Sequence, residues 1–428
     1  MFKKLCIFAL MMLFSFLILS CSLVYKPNNG GNSSNTGVND NQNQYDPHST
    51  IEPSKPTPSI KPIDSIKQQI SRMSLDDKIG QMLIAGIQGY EIDNNTKQLE
   101  EKYKVGGFIV LGENVKSTPQ LLKLINSIKE KNINSKIPLF ISVDEEGGSI
   151  TRMPKEFTKL PTNKVIGNLN NEKFSYEIGK NIADEIKAFG FNMDFAPVMD
   201  VNTNPKNPVI GDRSFGNNAA LVSRLGVKTM QGLQSQNIIS VVKHFPGHGD
   251  TSVDSHLGLP TVNNDLDRLQ KIELQPFEAS ISNNTDAVMI AHILLPKIDK
   301  ENPASMSKAL ISDILRTNLK FNGVVITDDM TMGAILKNYK IGEAAVKSVN
   351  AGADIVLVCH GYDNIISVYE ALKSAVLKGN IPEERIDQSV YSILKLKAKY
   401  NINDDTKSTV NVEAINKSLN TLLKNYIK

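Results

Sequence analysis

Eight short apolar runs punctuate the chain after residue 62, most of them ending at or beside a glycine, aspartate or histidine. They are Met82–Ala85, Gly107–Leu111, Pro138–Val143, Met193–Pro197, Ile239–Val242, Ala287–Ala291, Val324–Thr327 and Ile355–Val358. Between them lie longer stretches in which apolar residues recur three and four positions apart, as on one face of a helix: Thr118–Lys131, Glu172–Phe189, Ala219–Gln236, Leu266–Ser282, Lys308–Leu319, Gly342–Ala351 and Asn364–Lys378. Uniformly apolar runs alternating with amphipathic helices indicate parallel strands joined by crossover helices, with both sheet faces buried. Such a count predicts the α/β class and a single (β/α)8 barrel of the TIM type. An open doubly wound sheet is the alternative if one or two runs are not strands. Both architectures put chemistry at the carboxyl ends of the strands, where this chain carries Asp144, Asp200, Arg213, Lys243, His244, His292 and Asp328.

The first 62 residues follow a different pattern. Lys3 and Lys4 precede an apolar run, Leu5 to Leu19, that is too short for a comfortable membrane span and charged on one side only, as an export signal is. It closes on Ile18-Leu19-Ser20-Cys21, which resembles the end of a bacterial lipoprotein signal. That resemblance implies cleavage before Cys21 and lipidation of Cys21, so that the protein is held to the cell membrane on its outer side. An ordinary signal peptide cut nearby and an uncleaved anchor are the alternatives. Residues 21–62 are Asn, Gly, Ser, Thr, Pro and Gln with few large apolar side chains, and cannot bury enough surface to offset the entropy of ordering. They are expected to form a flexible tether, stiffened by Pro53, Pro56, Pro58 and Pro62. The expected organisation is thus a signal peptide over 1–20, a disordered linker over 21–62 and the barrel over 63–428. Ile415, Leu419, Leu422, Leu423 and Tyr426 add a C-terminal helix that packs on the domain.

Composition narrows the classes. Of 3 cysteines, Cys6 and Cys21 fall in the export segment, which leaves Cys359 no partner for an internal disulfide. Stability must then come from the core, and 40% hydrophobic residues over such a length suffice for one large domain. A net charge of only +3 gives no footprint for nucleic-acid binding.

Three of the 6 histidines crowd into Lys243-His244-Phe245-Pro246-Gly247-His248-Gly249-Asp250-Thr251-Ser252-Val253-Asp254-Ser255-His256, where a strand end is expected to run into a long Gly-rich loop. In such a loop Asp254 can accept from one ring nitrogen of His256, fixing the tautomer and leaving the other nitrogen to give or take a proton near neutrality. A surface Asp–His pair out of reach of any substrate is the plainer alternative. Asp328 and Asp329 follow an apolar strand, and only one of them can face the barrel axis; the other is free to bond locally, and both could merely cap the helix expected near Met332. Asp144-Glu145-Glu146-Gly147-Gly148 with Arg152 puts charges of both signs at a pocket rim, which suits the hydroxyls of a sugar, or else forms an acidic turn neutralised by Arg152. Arg213, in Ile210-Gly211-Asp212-Arg213-Ser214-Phe215-Gly216, either faces a ligand or pairs with Asp212. His244, His248, Asp250, Asp254 and His256 are also plausible metal ligands, but Pro246 and two glycines break any helix that could give a zinc-binding His face, so no metal is expected.

These motifs resemble glycoside hydrolase family 3, in its β-N-acetylglucosaminidase branch. The signature loop over 243–256, the nucleophile segment Val325-Ile326-Thr327-Asp328-Asp329-Met330, and the sugar-binding segments 144–148 and 213–216 occur in family order, and the resemblance runs from Asp64 to about Tyr400. It implies that Asp328 attacks the anomeric carbon and that His256, oriented by Asp254, is the acid/base. It further implies that Asp144, Arg152, Arg213, Lys243 and His244 hold N-acetylglucosamine in the first subsite. Related β-glucosidases bring a carboxylic acid from an additional domain; none is expected here, so the proton donor must come from a barrel loop. Ser149 and Asn318 depart from the family pattern, at the position after the two glycines and upstream of the nucleophile strand. The activity implied is retaining, exo-acting β-N-acetylglucosaminide hydrolysis on peptidoglycan fragments, without a cofactor. A β-N-acetylglucosaminide phosphorylase, another family 3 β-glycosidase, acetamido-assisted hydrolysis using Asp144 and Glu145, a metal-dependent hydrolase and a non-catalytic sugar-binding lipoprotein are the other readings.

Overall fold

Each of the eight apolar runs overlaps a strand: β1 (Leu83–Gly86), β2 (Gly107–Val110), β3 (Phe140–Val143), β4 (Met193–Asp194), β5 (Ile239–Phe245), β6 (Ala287–Ile290), β7 (Val324–Thr327) and β8 (Val356–Val358). All pair in parallel in the order β7-β6-β5-β4-β3-β2-β1-β8. Ile326 of β7 bridges Ile355, just before β8, so the sheet closes on itself and the open-sheet alternative falls away. This computed structural model describes residues 64–427; the expected signal peptide, the tether and Cys21 lie outside the described residues.

The strands are buried on both faces because helices cover the outside. The helix Glu172–Phe189 shows how: Phe174, Ile178, Ile182, Ile186 and Phe189, three and four apart, are all buried, each contributing roughly 1.5–3 kcal/mol. Asn171 caps its start by accepting from the Phe174 N–H, and Gly190 ends it in the left-handed conformation.

Three expectations need correction. The stretch 266–282 is two helices, Leu266–Lys271 and Gln275–Ser282, because Pro276 has no N–H to continue the ladder and instead starts the second. The stretch 308–319 is helical over Ala309–Asn318 but wound as a π-helix. The strand expected to stop at Val242 runs on to Phe245, so Lys243 and His244 belong to β5 itself.

The helix Glu383–Lys399, absent from the expected set, lies against the amino end of the barrel. Its buried Lys397 donates to Gln81 Oε1 (2.8 Å) and to the Gly106 carbonyl (2.9 Å) over the Phe140 ring, and burial pulls its pKa down to about 7. Asp354, between Arg316 and Arg385, ties the same end of β7 and β8 to this helix. With one end of the barrel built as structure, the strand carboxyl ends are left for chemistry.

Candidate active site

At those carboxyl ends a cavity of about 330 Å³ opens, bounded by Asp144, Glu146, Arg152, Arg213, Lys243, His244, His248, His256 and Asp328, among others. Of the residues implied to hold or cleave a sugar, only Asp254 is not in its wall, and it touches His256 from behind.

Asp328 leaves β7 with one carboxylate oxygen accepting the Asp329 N–H (2.8 Å), while among the described residues the other has no hydrogen-bond partner. Burial opposes its ionisation, but His292, then His244, the Asp329 N–H and Lys243 outweigh burial and hold the carboxyl below the usual range. An ionised carboxylate with a free oxygen facing a pocket can act as a nucleophile. Asp329 is engaged differently: it accepts from the Thr331 N–H (2.9 Å), Thr331 Oγ1 (2.6 Å) and the Cys359 N–H (2.9 Å). Neither acid caps the short helix Gly333–Leu336, whose start has no side-chain cap.

The same cavity is lined by a network of four charges. Lys243, only 2% exposed, sits 2.6 Å from both Asp144 Oδ1 and Glu146 Oε1. Glu146 also accepts from Arg213 Nε (2.9 Å) and Nη2 (2.8 Å). Burial alone would raise the Glu146 pKa, but Arg213 and Lys243 hold it well below the carboxylate range. Arg213 therefore does not pair with Asp212, which lies near Lys164 instead. Its Nη1 donates to the Val209 carbonyl, so much of its donor capacity is already engaged. Arg152 contrasts with it: its backbone N–H goes to Glu145 and its Nη1 to the Thr151 carbonyl, but among the described residues the guanidinium has no carboxylate partner and its buried Nε has no partner at all. Glu145 points away from the cavity and accepts from Thr151 and Arg152, so the carboxylate pair that acetamido assistance by Asp144 and Glu145 would need does not face a common ligand.

His244 is fixed by Asp200, which accepts from its Nδ1 (2.7 Å) and its backbone N–H (3.3 Å) and takes the His248 N–H as well (2.6 Å). Asp200 thus sets the angle at which the Gly-rich loop leaves β5. Further along, Asp254 Oδ1 accepts both the backbone N–H and the Nδ1–H of His256, each at 2.8 Å. That fixes Nε2 as the free nitrogen, on a ring 64% exposed beside the cavity. The residues considered as metal ligands have separate partners: His244 with Asp200, His248 with Thr251 and Ser255, Asp250 with Asn264, Asp254 with His256. Among the described residues no group of three or more His, Cys, Asp or Glu is placed to hold a metal ion.

The model of the glycosyl hydrolase family 3 N-terminal domain matches residues 74–396, more than half of the chain. The chain belongs to glycosyl hydrolase family 3. Within the family it is 34% identical over 326 residues to beta-hexosaminidase A of Pseudoalteromonas piscicida, covering 71% of this chain and 54% of that protein. It is also 34% identical over 275 residues to a beta-hexosaminidase of Methylobacillus flagellatus, covering 63% and 77%. Among solved structures, a family 3 beta-N-acetylglucosaminidase from Paenibacillus sp. str. FPU-7 superposes with a TM-score of 0.78 at 39% identity, over 83% of this chain and 69% of that one.

The sequence alone gives Glu146, Asp200 and His292 no individual role and His248 no more than a part in shaping its loop. Glu146 and His248 are in the wall of this family 3 cavity, and Asp200 and His292 shape it from behind. His292, for instance, donates Nε2–H to the Asp329 carbonyl and meets Ser305 through Nδ1. Burial lowers its pKa, against the opposing pull of Asp328 and Asp329, and the ring supports the Asp328–Asp329 turn.

Proposed function

We propose that the protein is a retaining exo-β-N-acetylglucosaminidase that releases terminal β-linked N-acetylglucosamine from cell-wall fragments. It is a β-N-acetylhexosaminidase of family 3, a reading supported by its hexosaminidase relatives and carried by one observation. A single cavity, near the small end of ligand-pocket sizes, has an ionised carboxylate with a free oxygen on one wall and an Asp-oriented imidazole at its rim. A pocket that admits about one sugar favours cleavage at a chain end. His256 Nε2–H protonates the leaving oxygen as Asp328 attacks the anomeric carbon; His256 then takes a proton from water as the glycosyl ester is hydrolysed. Asp144, Lys243, His244 and Arg152 hold the sugar hydroxyls, with Arg213 setting the geometry of Glu146 and Lys243. No cofactor enters the mechanism. The protein acts outside the cytoplasm, lipid-anchored through Cys21 and separated from the membrane by the tether.

Chromogenic β-N-acetylglucosaminide and β-glucoside, compared side by side, test the substrate class: preference for the N-acetyl sugar is expected, and equal turnover would remove it. Radiolabelled palmitate fed to the producing cells should label the wild-type protein and not Cys21→Ala; equal labelling would remove the anchor.

A further inference from the structure

The exposed ring of His256 rests on a backbone held at several points. Val253 and Leu257, on either side of it, are both exposed, so apolar packing does little to secure this part of the loop. Polar contacts secure it instead. The Ser255 carbonyl accepts the Ala334 N–H (3.0 Å), the Leu257 carbonyl accepts Lys337 Nζ (2.7 Å), and Ser255 Oγ lies 3.2 Å from His248 Nε2. At Gly333 the two segments approach so closely that a Cβ would collide with the His256 carbonyl oxygen.

The direction of the His248 bonds follows from its neighbours. Thr251 Oγ1 donates to the His248 carbonyl (3.0 Å), so it accepts the His248 Nδ1–H (2.8 Å). His248 Nε2 is then an acceptor, and Ser255 Oγ–H donates to it. His248 is itself immobilised by its N–H to Asp200, the same carboxylate that orients His244. The other side of the seat, Gly333 to Lys337, begins five residues after Asp328 and is anchored through the Asp329 turn to Thr331 and Cys359. The loop that carries the imidazole is thereby fixed to the segment that carries the carboxylate.

We propose that His248, Ser255, Gly333 and Lys337 are positioning residues for the reaction, forming a seat that holds the 254–257 backbone so that His256 is presented to the bond cleaved at Asp328. This rests on His256 being the acid/base. A small displacement of a proton donor is costly to rate because donor and leaving oxygen must be within hydrogen-bond reach. A disturbed seat should therefore impair proton donation and leave sugar binding and Asp328 intact.

The test uses the whole protein with Ser255→Ala, Gly333→Ala and Lys337→Met, and with His256→Ala as reference, on two aryl β-N-acetylglucosaminides. Phenyl is a poor leaving group that needs a proton; 2,4-dinitrophenyl leaves without one. On the phenyl glycoside kcat/KM should fall ~10²-fold or more for His256→Ala and about 5- to 50-fold for the seat variants, with the dinitrophenyl value of the seat variants within about twofold of wild type and that of His256→Ala falling far less than its phenyl value. Lys337 lies at the surface, so Lys337→Met tests the idea without risk to folding, and Lys337→Arg should restore much of the loss. If His256→Ala discriminates between the substrates while the seat variants lower both equally or neither, the seat is wrong and the acid/base stands. If His256→Ala fails to discriminate, the acid/base assignment falls and the seat falls with it.

Discussion

Glu146 holds Arg213 by two parallel hydrogen bonds, at 2.9 and 2.8 Å, and is itself almost wholly buried. One of its oxygens also receives Lys243, so this carboxylate, which need not touch a ligand, fixes two of the cations implied to hold the sugar. Removing one partner of a buried pair leaves the others uncompensated, at a cost of roughly 3–5 kcal/mol. Glu146→Gln should lower the unfolding free energy by about that much, read from the urea midpoint with the m-value unchanged. A loss under about 1 kcal/mol would mean that the network contributes little to the fold.

Glu145, the neighbour, has the opposite electrostatics. Burial raises its pKa to about 7 from 4.5, against the hydrogen bonds of Arg152 N–H and Thr151. A raised carboxyl keeps its proton in the folded state while the unfolded chain loses it, so between pH 4.5 and 7 its contribution makes stability fall as pH rises, and above 7 the penalty is constant. Glu145→Gln should flatten that decline, leaving stability near pH 4.5 little changed and raising it at neutral pH by on the order of 2–3 kcal/mol. Denaturation midpoints across this range check the slope, and an unchanged slope would assign the titration elsewhere.

The adjacent acids Asp328 and Asp329 should separate cleanly by kinetics. Asp328→Ala is expected to lower kcat at least ~10³-fold on phenyl and dinitrophenyl substrates alike, because both need the nucleophile. Asp329→Ala removes the acceptor for Thr331 and Cys359, so its main effect should be a lower melting temperature. A fluorinated sugar should leave its label on Asp328, and NMR of the first product should show the β anomer. An α product would exclude the covalent route.

The periodicity of the sequence was enough to locate the barrel, because strands buried on both faces read as unbroken apolar runs whatever the side chains around them do. The site was legible to the extent that its residues sit at strand ends or in a cluster dense in histidine, as Asp328, Lys243 and His256 do. Asp200 and Glu146 were visible as polar residues at strand ends, yet their function is to hold His244 and Arg213, partners far away in sequence, and spacing carries no trace of such a pairing. The helix Glu383–Lys399 was legible, since Ile386, Val390, Ile393 and Leu394 have helical spacing behind two first-turn acids. Eight strand–helix units complete the barrel without it. The break at Pro276 was equally readable, since proline within a helical pattern interrupts or starts a helix.

Two arginines implied to bind the sugar differ in what surrounds them. Arg213 is held by Glu146 and Val209, whereas Arg152 has a guanidinium facing the cavity without a carboxylate partner among the described residues and with an unused buried Nε. Nη2 of Arg152, which has no hydrogen-bond partner among the described residues, is the donor that a ligand can engage in both ground and transition states. Arg152→Ala should therefore raise KM for the chromogenic N-acetylglucosaminide about tenfold, near 1.4 kcal/mol, with kcat within a few-fold and the melting temperature little changed. Arg213→Ala leaves Glu146 buried beside a single cation and should instead cost roughly 3 kcal/mol or more of stability. Steady-state kinetics and thermal unfolding of the two variants decide the matter. If Arg213→Ala raised KM without loss of stability while Arg152→Ala changed neither, the ligand-facing role would pass from Arg152 to Arg213.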